Sequence, residues 1–387
     1  MLQNFEGEAE PDVLVRLKNY NVLWRYALYG ADGFAEAYIR EELDIEGDLA
    51  LRKLNQMNGN GARSLYSFFP PALWLRNFIL EWRTSNRTFE QARRNAIFHY
   101  NHPRAFYEFI NGTTMGYTEN YLVAETDDID TAQRQKFEHI ARKLFLKPGQ
   151  KVVEVGTGCG YLACLMAKKY GVDVTNYGLV PMQNDILEEM KREWGVEDRV
   201  RNVVRDHREL QNEPDTYDRY VSVGVYEHAG KGIQEEWIRS IATCLKHGGV
   251  GFISCLGFAK QVTNGLFINT YIFPGTNVPS LSEMLLWMEK NNLHVVDIEN
   301  LWYHYARALE MWAIRFNTHW PEIQKLDPAR YTERFRRTWQ VYLEGLSAIF
   351  SEGEWGVDLY HITFTKGKHK DFYPLTRDFI YSAPDNR

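Results

Sequence analysis

Apolar and polar positions alternate in two regimes along the chain. In residues 1–95, "VLWRYALYGADGFAEAYIREEL" has apolar side chains at helical spacing, interrupted by glycines, which predicts a mainly helical segment. "NGNGARS" (58–64) reads as a loop. "FFPPALWL" follows it and gathers Phe, Leu and Trp around a proline pair, a composition that suits a buried hinge or an exposed docking surface. From residue 128 the rhythm changes. "DDIDTAQRQKFEHIARKLFL" is an amphipathic helix whose acids stand at its start, where they complement the helix dipole. Short apolar runs then alternate with amphipathic ones. "KVVEVG", "VDVTNYG", "RVRNVVR", "YDRYVSVG" and "GVGFISCLG" read as strands, and "CGYLACLMAKKYG", "PMQNDILEEMKREWG" and "KGIQEEWIRSIATCLKHG" as helices. This βαβ alternation predicts an α/β fold with a doubly wound parallel sheet. Residues 281–349 return to a helical pattern, and "VDLYHITFTKG" reads as a late strand. Two domains are expected, 1–95 and 96–387.

Composition narrows the class. A chain of 387 residues can bury a large core, and its net charge of −6 argues against a general nucleic-acid binder. Cys159, Cys164, Cys244 and Cys255 form no C-x-x-C pair, and no histidine cluster has zinc spacing. They read as reduced thiols of a cytoplasmic protein without a metal. The acidic start "MLQNFEGEAEPD" lacks the apolar core of a signal peptide. No apolar run approaches the ~20 residues that span a bilayer, so any membrane contact is expected to be peripheral.

"VVEVGTGCGY" is the first chemical signal. A strand runs into Gly156, Gly158 and Gly160, and a helix follows; such glycines allow a tight turn and close backbone approach to a ligand. An ordinary glycine turn is the bland alternative. Glu154 precedes the first glycine, whereas dinucleotide folds place their acid at the end of the second strand. Here that second strand ends "TNYGLVPMQ", with no acid. The order acid, apolar, G-x-G-x-G resembles the first motif of S-adenosylmethionine-dependent methyltransferases. Asp206 in "VVRDHREL" stands at a strand end, where it suits an adenine amine or a helix N-cap.

Four further stretches carry a specific resemblance. "SVGVYEHAG" (222–230) resembles S-V-G-M-F-E-H-V-G of the cyclopropane fatty acid synthase family. "TYIFPGTNVPS" (270–280) is similar to its Y-I-F-P-G-G-x-L-P-S, "HYARALEMW" (304–312) to its Y-x-x-T-L-x-x-W, and "HYN…MGYTENY" (99–121) to its H-Y-D…Y-S-C-A-Y. The resemblance runs from about residue 12 to 368. It implies a class I methyltransferase fold, with a helical N-terminal domain for lipid docking or dimerisation and helical insertions over an acyl tunnel. It also implies methyl transfer from S-adenosylmethionine to a cis-alkene of an unsaturated fatty acyl phospholipid, and leaves a homodimer open. Cofactor contacts carried over by motif fall on Tyr117, Thr118, Glu154, Gly156, Gly158, Gly178, Gln183, Asp206 and His207. The family's T-x-S-x-x-Q is here "GLVPMQ", which keeps Gln183 and loses both hydroxyls. Asn101 replaces the family's Asp after His99 and Tyr100, and His228 is expected to pack or cap.

Cyclopropane synthases hold bicarbonate beside the reacting carbons. By position its holders become Glu119, Glu227, Ser254 and Tyr305; a Cys has become Glu119 and a His has become Ser254. An alkene that attacks a sulfonium methyl leaves a carbocation, which must lose a proton. A fixed carboxylate can take that proton and stabilise the cation. Glu119 is therefore expected to be an internal base in place of bicarbonate, against the bland reading of a polar loop residue. Glu227 is expected to hydrogen-bond Tyr305 and orient the base, or to cap a helix; a core tyrosine is the bland reading of Tyr305. Tyr117, Tyr121 and Phe273 are candidates to face the sulfonium or the cation. Ser254 and Phe273, with Tyr121, make up the substrate-side set. N-methylation of an amine and a non-catalytic cofactor-binding subunit are the competing readings.

Overall fold

The computed structural model describes residues 13–54, 71–258, 265–352 and 357–381. Near its start, Leu14–Leu17 (β1) and Leu43–Glu46 (β2) pair antiparallel and bracket the helix Asn21–Ile39. The helical reading of this segment missed that ribbon, because four residues are too few to display a two-residue period. The helix itself kinks at Gly30 (φ 57°, ψ −137°), one of the interrupting glycines.

Seven strands form the central sheet: β3 (Lys151–Val155), β4 (Asp173–Tyr177), β5 (Val200–Val203), β6 (Tyr217–Val223), β7 (Leu245–Phe258), β8 (Leu293–Asn300) and β9 (Val357–Lys366). Their order is β5-β4-β3-β6-β7-β9-β8. Strands β3 to β7 are parallel, and β9 is antiparallel to both its neighbours. Alternate strand residues sort to opposite faces, as the pleat requires. Val152, Val174 and Val221 join the helices Tyr161–Tyr170 and Pro181–Trp194 in one buried cluster. Val153, Tyr220 and Ile253 join the helix Gln234–Cys244 in the other. The expected doubly wound sheet is thus present. The helical reading of 281–349 is corrected by β8, which lies between the helices Leu281–Lys290 and Trp302–Thr318. Its residues are mostly half-buried, and "LHVVDIEN" lacks the clean alternation of a one-sided strand.

A third cluster is helical. Trp302–Thr318, Trp320–Leu326 and Glu333–Glu352 pack with Arg104–Asn111 over the C-terminal edge of the sheet. The N-terminal segment is fastened to Glu333–Glu352. Arg337 donates to the carbonyls of Tyr38 and Leu43 and pairs with Asp44, while Glu344 accepts from the Leu51 amide. Residue 95 lies inside the helix Phe89–Tyr100.

Candidate active site

Where β3 ends, the sheet order reverses, with β4 on one side and β6 on the other. Such a switch point opens a crevice at the strand ends. Here the cleft holds about 1330 Å³, its open mouth included. All nine residues expected at the cofactor line it: Tyr117, Thr118, Glu154, Gly156, Gly158, Gly178, Gln183, Asp206 and His207.

The glycine turn leaves β3 with Gly156, Gly158 and Gly160 at positive φ. A side chain on Gly158 would meet nothing within 4 Å, so the turn leaves open space on its cleft side. Glu154 is buried, and one of its carboxylate oxygens has no hydrogen-bond partner. Burial pushes its pKa up to about 8. A buried acid with a free oxygen beside an open glycine turn fits a cationic adenosyl sulfonium cofactor.

Other cleft residues are held by neighbours. Asp206 is the N-cap of the short helix His207–Asn212, in a reciprocal capping box with Glu209, and it also pairs with Arg208. His207 stacks on Trp237 at 3.7 Å between ring centroids. Gln183 donates to the Tyr107 hydroxyl, and the loop before it is tied by Asn101, whose side chain accepts from the Met182 amide. Asn176 stands near the end of β4, where a ribose-binding acid was absent from the sequence; it lines the cleft and accepts from Thr157. His228 hydrogen-bonds the Tyr100 hydroxyl at 2.9 Å.

Glu119, Glu227, Ser254 and Tyr305 lie buried behind this wall. Glu119 follows the cleft residues Tyr117 and Thr118 and has no exposed surface. Its Oε1 accepts from the Ser254 hydroxyl at 2.9 Å and faces His361 Nε2 at 2.7 Å, while Oε2 has no partner. Burial opposes its charge, but the hydrogen bond from His361, the charge of His361 when protonated, the nearby Lys136 ammonium and Ser254 outweigh burial and hold it below the usual carboxylate range. Burial lowers His361 in turn, against the hydrogen bond and charge of Glu119, which favours a neutral imidazole beside the carboxylate.

Glu227 does not hydrogen-bond Tyr305. Its Oε1 accepts from the Leu256 amide on β7, and its Oε2 has no partner. An amide on a neighbouring strand is the nearer donor. Burial, with a smaller contribution from Glu119, raises the Glu227 pKa to about 7. Tyr305 packs edge-on against Phe350 and Trp312. Phe273 lies against His99, Tyr100, His228 and Tyr342. Tyr121 stacks on His139 and His304, with ring centroids 4.0 and 5.1 Å apart.

The sequence reading missed His361. It stands in the late strand "VDLYHITFTKG", in no quoted motif, and its meaning comes only from strand pairing: Ser254 on β7 and His361 on β9 are register partners.

The model of the family described as mycolic acid cyclopropane synthetase matches residues 87–362. The chain belongs to that family. It is 27% identical over 393 residues to a "Probable fatty acid methyltransferase" of Pseudomonas putida, covering 97% of this chain and 93% of that protein. It is 32% identical over 246 residues to the cyclopropane-fatty-acyl-phospholipid synthase of Escherichia coli K12, covering 63% of this chain and 60% of the synthase. Its fold is similar to that of the mycolic acid cyclopropane synthase CmaA1 complexed with SAH and CTAB. The TM-score is 0.63 at 22% identity, over 71% of this chain and 98% of that one. As a member of the mycolic acid cyclopropane synthetase family, the protein is an S-adenosylmethionine-dependent methyltransferase of class I fold.

Proposed function

We propose that this family member methylates the double bond of an unsaturated fatty acyl chain carried in a phospholipid, and that Glu119 takes the proton that leaves. When bound, S-adenosylmethionine supplies an electrophilic methyl group. The residues Tyr117 to Gly158 and Gly178 to His207 that line the cleft would hold it. The named activities of the relatives support the lipid substrate.

One observation carries the base. The two positions at which this chain departs from the family's bicarbonate holders, Glu119 and Ser254, are hydrogen-bonded to each other. A side-chain carboxylate so fixed supplies what the ion would supply. Its low basicity is no obstacle, since a C–H beside a carbocation is a far stronger acid than a carboxylic acid. The electron pair of that C–H bond closes a cyclopropane or forms a new alkene, and the proton goes to a Glu119 oxygen. Product identity depends on which C–H lies nearest, so a cyclopropane, a methylene branch and a methylated alkene all share the same base. Tyr305, which feels the Glu119 charge and packs against Trp312, helps keep water from the cation.

The test is mass spectrometry of lipids from cells expressing the protein with labelled methionine; a one-carbon mass gain on unsaturated acyl chains is expected. Glu119→Gln keeps the shape and removes the base, so turnover should fall by ~10²–10⁴ with little change in cofactor affinity. Added or removed bicarbonate should not alter the parent's rate. Stimulation by bicarbonate, or parental turnover by the Gln variant, overturns the assignment. Bicarbonate rescue is expected only in Glu119→Cys combined with Ser254→His.

A further inference from the structure

Three neighbouring strands bring three side chains into one row. His361 on β9 is the register partner of Ser254 on β7 and of Glu299 on β8. Glu119 reaches the row from the loop before the helix Ile129–Lys143, which supplies His139 and Lys143. His361 is fully buried. Its Nε2 is 2.7 Å from Glu119 Oε1, and its Nδ1 has no hydrogen-bond partner. Glu299 Oε2, 4.0 Å from Nδ1, is already held by His139 Nε2 at 2.7 Å and Lys143 Nζ at 2.8 Å.

A neutral imidazole carries one proton. On Nδ1 that proton would find no acceptor, and the Nε2 lone pair would face a carboxylate. On Nε2 it makes a charge-assisted hydrogen bond. The geometry therefore selects the Nε2–H tautomer. Together with the Ser254 hydroxyl it puts two donors on Glu119 Oε1 and leaves Oε2 as the accepting oxygen.

We propose that His361 is a positioning residue for proton abstraction, holding Glu119 ionised and turned so that Oε2 receives the substrate proton. This rests on the reading of Glu119 as the base. In the step, a substrate C–H bond breaks, its electron pair enters the new C–C or C=C bond, and the proton forms an O–H bond at Oε2. His361 keeps its own proton throughout. The ligating atoms of His139, Glu299 and His361 lie within 4.8 Å of one another, but the Lys143 ammonium stands where a cation would neutralise Glu299.

Other charged and titratable groups surround the pair. Lys136 favours the Glu119 charge from the helix Ile129–Lys143, and Lys143 and His139 disfavour a charged His361. Glu227 is a second carboxyl that feels the Glu119 charge, as do His304 and Tyr305 from the helix Trp302–Thr318. Of all these, His361 and Ser254 alone donate directly to the Glu119 carboxylate among the described residues.

The experiment is the pH profile of kcat for the full chain, with S-adenosylmethionine and vesicles of an unsaturated phospholipid. The variants are His361→Gln, His361→Asn and His361→Phe. Gln brings its amide nitrogen near the Nε2 position, whereas Asn reaches only the Nδ1 position and Phe donates nothing. Asn and Phe should move the acid limb upward by a pH unit or more, so that at a pH below both limbs kcat is down ~10-fold or more and recovers as pH rises. KM for S-adenosylmethionine should stay within about twofold. Gln should restore the parent's limb. If Phe fails to fold, the Gln–Asn contrast decides. Equal loss by Gln and Asn at every pH, or no loss by either, overturns the role. Glu119→Gln separates the two claims: parental turnover there removes the base itself, whereas an inactive Glu119→Gln with no Gln–Asn contrast removes only His361.

Discussion

Glu119 and Glu227, two buried carboxyl groups, are driven apart by their surroundings. Glu119 has donors and a nearby ammonium and stays ionised, while Glu227 has one backbone amide and is raised to about 7. That separation is how a site obtains an ionised base beside a second acid. Glu154 is a different case, because burial alone takes it from 4.5 to about 8. A carboxyl whose folded pKa is raised binds more protons folded than unfolded, so folding stability should fall as pH rises from about 4.5 to about 8. A cationic cofactor favours the ionised acid, so S-adenosylmethionine should bind more tightly as pH rises through the same window, with release of a proton. Calorimetry in buffers of different ionisation enthalpy measures that release, and Glu154→Gln should abolish it. Release unchanged in the Gln variant would assign the proton to another group. At this scale the sequence showed Glu119, Glu154 and Ser254, because each stands in a motif of fixed spacing. His361 stayed hidden, because a histidine in a strand acquires a partner only through register.

Elements decide which residues meet. The parallel core was legible because glycine turns and helix ends punctuate it; the edge was less so. Among the described residues β8 pairs with β9 alone, and the break before it is Asn291–Asn292, with Asn292 at positive φ, rather than a glycine turn. The glycine turn permits a prediction that separates folding from binding. A Cβ on Gly158 meets open space, so Gly158→Ala should cost only ~1–3 kcal/mol of stability from its positive φ. It should nonetheless weaken cofactor binding tenfold or more, by filling space on the cleft side of the turn. A Cβ on Gly160 lies 2.3 Å from Leu187, within the core, and shares the positive φ. Gly160→Ala should therefore lower the melting temperature more than Gly158→Ala does, through overpacking as well as backbone strain. Thermal denaturation and calorimetric titration on both variants check the order. Parental affinity in a folded Gly158→Ala protein would move the cofactor away from this turn.

At the scale of the whole molecule, a phospholipid substrate requires a way to meet a bilayer, and among the described residues no helix is long and apolar enough to cross one. The sequence pointed to "FFPPALWL", but Phe68 and Phe69 lie outside the described residues, as does the side chain of Trp74. The helix Pro71–Thr84 continues the theme. Leu75, Ile79 and Trp82 are exposed at i, i+4 and i+7 on one side of it, with Trp82 73% accessible. Its neighbour Asn21–Ile39 exposes Leu23, Trp24 and Leu28, and Arg76 joins the two helices through Glu36. Exposed apolar surface on this scale marks an interaction face. We propose that it inserts into the lipid surface. Each large side chain buried there is worth ~1.5–3 kcal/mol, so removing three should weaken binding by at least two orders of magnitude. The net charge of −6 gives no general attraction to anionic lipid, so flotation with phospholipid vesicles should be nearly insensitive to salt. The triple variant Trp24→Ser, Leu75→Ser, Trp82→Ser should stay with the soluble fraction while keeping its affinity for S-adenosylmethionine. A second copy of the chain is the competing occupant, and it makes the opposite prediction: the parent would sediment as a dimer, the triple variant as a monomer, and both would float alike.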